Sequence, residues 1–198
     1  EIPHFKSILK RMEFAAIDFE STGHFEDGQD EPIQVGIALM QEGDICPDHF
    51  FRSFIQPTKP RAISNAARAV HRIRDEELEG APLLLNLWPE IKNSLTGRVV
   101  VAHGAGTEKR FLRAFPIHGF APWVDTLQLA RKALPSLPDH SLGSLLQALE
   151  LEEEVQSLCP QLNWHDALFD AVASLVLLRK ILNHGATEND PYAMLSLS

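Results

Sequence analysis

Two carboxylates at the end of an apolar run are the first residues whose spacing suggests chemistry. Asp18 and Glu20 lie two residues apart, at the end of the run from Phe14 to Phe19. If that run is a strand, its two-residue period places both carboxylates on one face, with Cα atoms about 6.5–7 Å apart. Carboxylate oxygens are the ligands that Mg²⁺ prefers, and a pair of such ions can stabilise phosphoryl transfer. Solvated turn residues often show the same spacing, so the pair gains meaning only with further motifs.

A further acid, Glu108, follows a β-branched run and a glycine-containing turn. The run from Val99 to Ala102 predicts a buried strand, and His103-Gly104 then leads into a helix predicted from Thr107 to Phe115. In α/β proteins, ligand-binding groups commonly lie at the end of a strand or in the first turn after it. Glu108 is therefore a candidate ligand, although the helix dipole alone also favours an acid at this position.

The third constellation, His165 and Asp170, lies at the start of a long helix predicted from Asp166 to Leu182. Five residues of an ideal helix turn by about 500 degrees, so the two side chains cannot share a face if both residues are helical. We therefore expect His165 on the loop before the helix. A neutral imidazole with a pKa near 6.5 can accept a proton from an attacking water at neutral pH. A single histidine at a helix start is, however, more often a cap or a surface residue.

The elements that must position these residues alternate in type along the chain. Three apolar segments separated by glycine and acidic turns predict an antiparallel meander over 14–19, 33–40 and 49–56. Further strands are predicted at 98–102 and around Val124, and helices at 75–78, 82–95, 107–115, 142–149 and 166–182. Asp125, with Gln128 three residues later, predicts a capped helix start. The sequence therefore predicts an α/β fold.

In this order, the three motifs resemble those of the DEDDh, or DnaQ-like, 3'-to-5' exonucleases, which have a ribonuclease H-like fold. Connecting segments look like that family too: Pro32-Ile-Gln-Val-Gly-Ile37, His71-Arg-Ile73, Val124-Asp-Thr-Leu127 and His140-Ser-Leu142. The resemblance covers about residues 14–182. It implies a mixed five-stranded sheet, with three antiparallel strands followed by two parallel ones, flanked by helices. It also implies one exonuclease domain over residues 1–186 and a C-terminal tail over 187–198.

The resemblance assigns an expected role to each site residue. Two Mg²⁺ or Mn²⁺ ions would be held by four acids: Asp18, Glu20, Glu108 and Asp170. His165 would be the general base that activates water for attack on the terminal phosphodiester, which releases a nucleoside 5'-monophosphate. The expected substrate contacts on single-stranded DNA or RNA ends are Phe19, Ser21, Thr22, His103, Arg68 and Arg72.

The chain also departs from the family's pattern. The family usually has Asp at the position of Glu108, Asn at Gly104, an aromatic residue at Thr107 and often Gly at Arg72. Because the other four site residues are intact, we expect an active enzyme. The alternative is a catalytically impaired member that binds nucleic acid or a protein partner. A ribonuclease H-type endonuclease is a weaker third hypothesis, since a histidine five residues before the last acid favours the exonuclease.

Composition and charge narrow the class of protein but not its substrate. The chain has 198 residues, 44% of them apolar, and this composition excludes disorder as the main state. Its net charge of -9 argues against binding of duplex nucleic acid through a basic face. The charge is uneven, because residues 18–31 contain six acids and no Lys or Arg, whereas 59–74 contain five cations. We expect the latter stretch to follow the substrate strand.

Two cysteines, Cys46 and Cys159, are too few for a disulfide framework and predict a cytoplasmic protein. We find no apolar run of about 18 residues, so no membrane segment is expected. The start at Glu1 lacks a signal peptide and suggests an excised domain. A homodimer and a module of a larger protein are both compatible with the sequence.

Overall fold

A computed structural model describes residues 12–23, 30–59 and 63–185. The strands of this part of the chain are β1 (Phe14–Ser21), β2 (Pro32–Gln41), β3 (Asp44–Ile45), β4 (Phe51–Phe54), β5 (Val99–Ala102) and β6 (Trp123–Asp125). Its α-helices are α1 (Asn65–His71), α2 (Asp75–Leu78), α3 (Trp88–Leu95), α4 (Gly106–Leu112), α5 (Thr126–Ala133), α6 (Leu142–Ala148), α7 (Glu152–Leu158) and α8 (Ala167–Gly185). Short 3₁₀ turns cover Pro47–His49 and Leu84–Leu87.

The strands form one mixed sheet in the order β3-β2-β1-β5-β6, and β4 also pairs with β2. The β1–β2 and β2–β4 pairs are antiparallel, whereas β5 runs parallel to β1 and β6 runs parallel to β5. This confirms the predicted arrangement of three antiparallel strands followed by two parallel ones. The sheet has six strands rather than five because the two-residue strand β3 adds to the edge of β2. A strand that short has no two-residue periodicity to detect.

Two helices were missing from the sequence-based assignment. Helix α1 has no buried residues, and helix α7 buries only Val155, so neither has an apolar period. The start of α1 is fixed instead by Ser64, whose hydroxyl accepts a hydrogen bond from the Ala67 N–H. The helix predicted over 82–95 is divided into the 3₁₀ turn Leu84–Leu87 and helix α3.

The described residues form two large core clusters, one on each face of the sheet, and a small third one of Ile33, Ile63, Ile73 and Leu78. Strand β1 contributes to both large clusters. Phe14 and Ala16 pack into the cluster that includes α8, while Ile17 and Phe19 pack into the cluster that includes α3 and α4. The strand's alternation therefore turns Asp18 towards α8. The acid pair predicted from the sequence thus faces the helix that carries the third motif.

Gly36 allows the start of α8 to lie directly against the sheet. It is the partner of Asp18 in the β1–β2 register. A Cβ at position 36 would be 2.1 Å from the backbone nitrogen of Leu168, so any side chain would push the helix away. The close contact brings the first turns of α8 beside Asp18.

No helix within the described residues is long and apolar enough to cross a membrane. The predicted tail at 187–198 lies outside the described residues.

Candidate active site

The end of β1 and the start of α8 bring together acids and a histidine. The ligand atoms of Glu20, His165 and Asp170 all lie within 4.8 Å of one another. His165 is exposed in the turn before α8 and has φ 65, and Asp170 lies inside the helix, as the five-residue spacing predicts. The sequence-distant first and third motifs therefore form one cluster.

Asp18 and Glu20 lie in a strongly negative environment. Burial raises the pKa of Asp18 well above its usual range, and the neighbouring charge of Asp170 and then of Glu108 raises it further. Burial likewise raises the pKa of Glu20 to about 8, with the Asp170 charge as the next contribution. The negative charge of Glu108 also raises the pKa of Asp18 and of Glu20, whereas the group of ligand atoms within 4.8 Å consists of Glu20, His165 and Asp170.

Two carboxylate oxygens of the predicted site are buried and have no hydrogen-bond partner in the part of the chain that the structure describes. They are Oε2 of Glu108, a residue only 4% exposed in the first turn of α4, and Oδ1 of Asp170. Burial raises the pKa of each carboxyl group to about 7. Buried polar atoms normally have partners, and unpaired carboxylate oxygens that converge are the donor set of a hard divalent cation. The residues present therefore fit such an ion.

A hydrogen-bonded network that sequence reasoning missed fixes the turn that carries His165. The buried Gln34 donates to Oδ2 of Asp166 at 3.1 Å and accepts the Ala167 N–H at 2.8 Å. Arg52 reaches the same Asp166 oxygen through Nε at 2.8 Å and Nη2 at 2.7 Å. Asp166 Oδ1 accepts the Leu168 N–H at 3.1 Å and so caps α8. No spacing pattern links these residues, which are 114 to 132 positions apart.

His71 ties the end of β1 to the turn after α1. Its Nε2 donates to the Ser21 carbonyl at 3.1 Å, and its Nδ1 accepts the Ile73 N–H at 3.0 Å. This pair of bonds requires a neutral ring, and burial correspondingly lowers the pKa of His71. The motif His71-Arg-Ile73, identified in the sequence only as a connecting segment, therefore has a defined structural role.

The structure places Phe19, which is predicted to contact a terminal base, in the core. Phe19 lies on the opposite face of β1 from the acids and is 6% exposed, with its ring edge-on to Phe111 at 5.5 Å. The Thr22 side chain is also buried, where it accepts the Glu31 N–H at 3.0 Å. Only the backbone of Thr22 and the half-buried Ser21 remain as candidate contacts at this end of β1.

Three further predicted substrate contacts have different environments. Arg68 is paired with Asp75 at 2.5 Å, whereas Arg72 has no acidic partner among the described residues. Both ring nitrogens of His103 are engaged, one with the Thr126 hydroxyl at 3.0 Å and the other with the His140 carbonyl at 2.9 Å. The ring of His103 thus joins the end of β5 to α5 and to the loop before α6, and its contact with substrate stays a prediction.

Comparisons with known proteins identify the family of this chain. The RNase T family model, described as exonuclease, matches residues 15–178. The PolC-type DNA polymerase III of Thermotoga petrophila is 32% identical over 152 residues, which are 74% of this chain and 11% of that protein. The epsilon-like DNA polymerase III subunit protein of Rhodobacter capsulatus is 28% identical over 178 residues, 88% of this chain and 24% of that protein. The chain thus spans only about a tenth to a quarter of these relatives.

Solved structures show the same fold. Exonuclease X in complex with 5'-overhanging duplex DNA has 25% identity and a TM-score of 0.73, with 92% of this chain and 97% of that one covered. The nuclease domain of 3'hExo, a DEDDh family member bound to rAMP, has 14% identity and a TM-score of 0.72, with 94% and 96% covered. Because the family model matches most of the chain, the protein belongs to the exonuclease family that the RNase T model describes, and it has the ribonuclease H-like fold predicted from the sequence.

Proposed function

We propose that this domain is a divalent-metal-dependent 3'-to-5' exonuclease that removes nucleoside 5'-monophosphates from single-stranded DNA or RNA ends. The observation that carries the proposal is the group of Glu20, His165 and Asp170, whose ligand atoms all lie within 4.8 Å of one another. Asp170 has a buried oxygen without a partner among the described residues, and Glu108 has another. Such a group of acids is costly without a cation, and phosphodiester hydrolysis is one of the reactions that a cation pair and a proton acceptor can catalyse.

Two Mg²⁺ or Mn²⁺ ions are the proposed cofactors. Glu20 and Asp170 would hold the first, Glu108 would contribute to the second, and Asp18 would contact both. When bound, the cations would stabilise the negative charge that develops on the phosphodiester during hydrolysis.

The chain's own residues would orient the substrate and move the proton. His165 would take the proton from the attacking water, and its exposure allows the proton to pass on to solvent. Asp166 would keep the His165 turn fixed through its bonds to Gln34 and Arg52. Ser21 and the backbone of Thr22 would contact the terminal nucleoside.

The printed descriptions of the relatives support this substrate class. Exonuclease X was solved with 5'-overhanging duplex DNA, and the 3'hExo nuclease domain with rAMP. Since the curated relatives are much longer DNA polymerase III proteins, we propose that the described fold forms one domain that works as a module of a larger protein, with a homodimer as the other possible assembly. Its two free cysteines are consistent with a cytoplasmic setting.

The decisive experiment is digestion of 5'-labelled single-stranded DNA and its RNA counterpart with Mg²⁺, Mn²⁺ or EDTA. We expect a ladder that shortens from the 3' end, that is absent with EDTA and that is absent for Asp18→Ala. Asp44→Ala is the matched control, because Asp44 is an exposed acid on the edge strand β3. The preferred sugar is read from the two substrates.

Two outcomes would contradict the proposal. Intact substrate under every condition, with a folded protein that still binds the oligonucleotide, would favour a catalytically impaired binding domain. Internal cuts that continue on a substrate with a blocked 3' end would favour a ribonuclease H-type endonuclease.

A further inference from the structure

We propose that a groove beside His165 binds the nucleotides immediately 5' of the scissile bond, and that Arg72 contacts their phosphates. The inference deepens the proposed exonuclease function and rests on it. It concerns a surface that the metal cluster does not use.

The groove encloses about 530 Å³ between the turn before α8 and the segment that joins α1 to α2. Arg52, Phe54, Arg72, Trp164 and His165 are among the residues that line it. His165 therefore lies on the boundary between the acidic cluster and the groove. A strand whose terminal phosphodiester lies beside His165, with its last nucleoside towards Ser21, must continue past the histidine into this space.

Arg72 has a backbone conformation that normally favours glycine. It ends helix α1 with φ 62 and ψ 10, in the left-handed region. A side chain at such a position is strained, and strained residues are concentrated at functional sites. Arg72 is also exposed and has no acidic partner among the described residues, in contrast to its neighbours Arg68 and Arg74, which are paired with Asp75 and Glu77. Within this basic stretch, the uncompensated guanidinium is the one that lines the groove.

A second cavity of similar size fits a phosphate backbone less well. It measures about 520 Å³, and each cavity has two acids in its wall, Asp30 and Glu31 here and Glu77 and Asp166 in the groove, so the arginines distinguish them. The arginine of the second cavity, Arg110, already forms an ion pair with Asp30 at 2.5 Å. We therefore expect the nucleic-acid strand to enter the groove lined by Arg72, whose positive charge has no acidic partner among the described residues.

The groove also offers aromatic surfaces for bases. Trp164 is half-buried and packs edge-on against Phe169 at 5.0 Å, and Phe54 lies under the Arg52 guanidinium at 4.8 Å. Aromatic side chains beside a cation are the usual platform for single strands, because every base has a π-face to stack. This combination favours a strand over an isolated phosphate.

Arg72→Gly is the test variant, because glycine accepts the local backbone conformation and the variant is expected to fold at least as well as the wild type. Binding of labelled oligonucleotides from two to about ten nucleotides long is measured by fluorescence anisotropy in EDTA, so that no cleavage occurs. Wild-type affinity is expected to rise with length. For the longest oligonucleotide we expect Arg72→Gly to weaken binding about three- to tenfold and to reduce the salt-dependence slope by about 0.7, the contribution of one single-strand phosphate contact.

Arg179→Ala is the matched control, since it removes an equal charge from an arginine that is paired with Glu154 and lines neither cavity, and it should bind as the wild type does. Equal losses of affinity in both variants would indicate general electrostatics and overturn the proposal, as would an unchanged salt slope for Arg72→Gly. Hydrolysis of the p-nitrophenyl ester of a nucleoside 5'-monophosphate by the wild type tests the proposed function separately, because that ester has no upstream nucleotide.

Discussion

Asp166 and Asp170 lie one helical turn apart at the start of α8 and have opposite environments. Asp166 accepts hydrogen bonds from Gln34, from Arg52 and from the Leu168 backbone. Asp170 has a buried Oδ1 with no partner at all. A buried acceptor without a donor costs about 1–3 kcal/mol, a cost that arises at Asp170 and is avoided at Asp166. The contrast is between an acid that fixes the turn before α8 and an acid that we propose as a cation ligand.

The same contrast extends to the other acids of the cluster. Glu108 has the second unpartnered oxygen, and burial raises the pKa of Glu20 and Asp170 to about 8 and about 7. These groups oppose folding when they are charged and no cation is bound. Asp166, bonded to a guanidinium, an amide and a helix N-terminus, supports folding.

The largest expected effect is that of Asp170→Asn, which removes the carboxylate that we propose as a cation ligand. We expect activity to fall about a thousandfold, or ~4 kcal/mol of barrier, because a cation ligand is lost. The metal-free protein should at the same time become more stable at pH 8, because the substitution removes a buried charge. Digestion assays and thermal unfolding in EDTA measure the two quantities.

The pH dependence gives the sign of the stability change. A carboxyl group whose pKa is raised in the folded state loses its proton first in the unfolded state, so the free energy of unfolding falls between pH 4 and about pH 7. The amide introduced by Asp170→Asn does not titrate, so the variant's advantage should be absent at pH 4 and reach a few kcal/mol at pH 8. A lower melting temperature for the variant at pH 8 would contradict an unsatisfied Asp170.

Asp166→Ala removes the hydrogen-bonded acid of the pair. It should lower the stability of the protein, whereas Asp170→Asn should raise the stability of the metal-free protein at pH 8. Removing the carboxylate leaves Gln34 and Arg52 without their shared partner and removes the cap of α8. We expect a loss of about 1–3 kcal/mol in the free energy of unfolding, at pH 8 as well as at pH 6. Activity should fall about tenfold, mainly through kcat, because the His165 turn loses its support.

Denaturant unfolding and steady-state kinetics test this prediction. Arg179→Ala is the matched control, since Arg179 forms a comparable ion pair with Glu154 on the packed helices α7 and α8. If Asp166→Ala raises KM and leaves kcat unchanged, the network does not position His165.

The comparison also shows why some of the site could be predicted from the sequence and some could not. Asp18, Glu20 and Asp170 lie within short motifs whose local periodicity fixes their direction, so their convergence follows once β1 and α8 are identified. Gln34 and Arg52 reach Asp166 across more than a hundred residues, and only the packing of β2 and β4 against α8 brings them together. Contacts of that kind have no local signal.

The fold divides in the same way. Elements with a buried face, such as β1, β2 and α8, were predicted to within a few residues because burial imposes a period on the sequence. Helix α1 was missed because it buries nothing and depends on the Ser64 cap. Phe19 was assigned to the substrate because its motif neighbours are acids, although the strand's alternation turns it into the core.

The smallest expected effect is that of Glu108→Asp. This substitution tests whether activity depends on the position of the Glu108 carboxylate as well as on its charge. Glu108 is 4% exposed, and its Oε2 has no partner. Shortening the side chain by one methylene withdraws the oxygen by ~1.5 Å, the length of one C–C bond. We expect a few-fold loss of activity and a shift of the Mg²⁺ dependence to higher concentrations, because a ligand of the cation is displaced without being removed. Glu108→Gln should lose more, since it retains the length and removes the charge. A rise in the activity of Glu108→Asp would contradict this prediction. It would show that the longer side chain of Glu108 impairs the enzyme, and it would favour the hypothesis of a catalytically impaired domain.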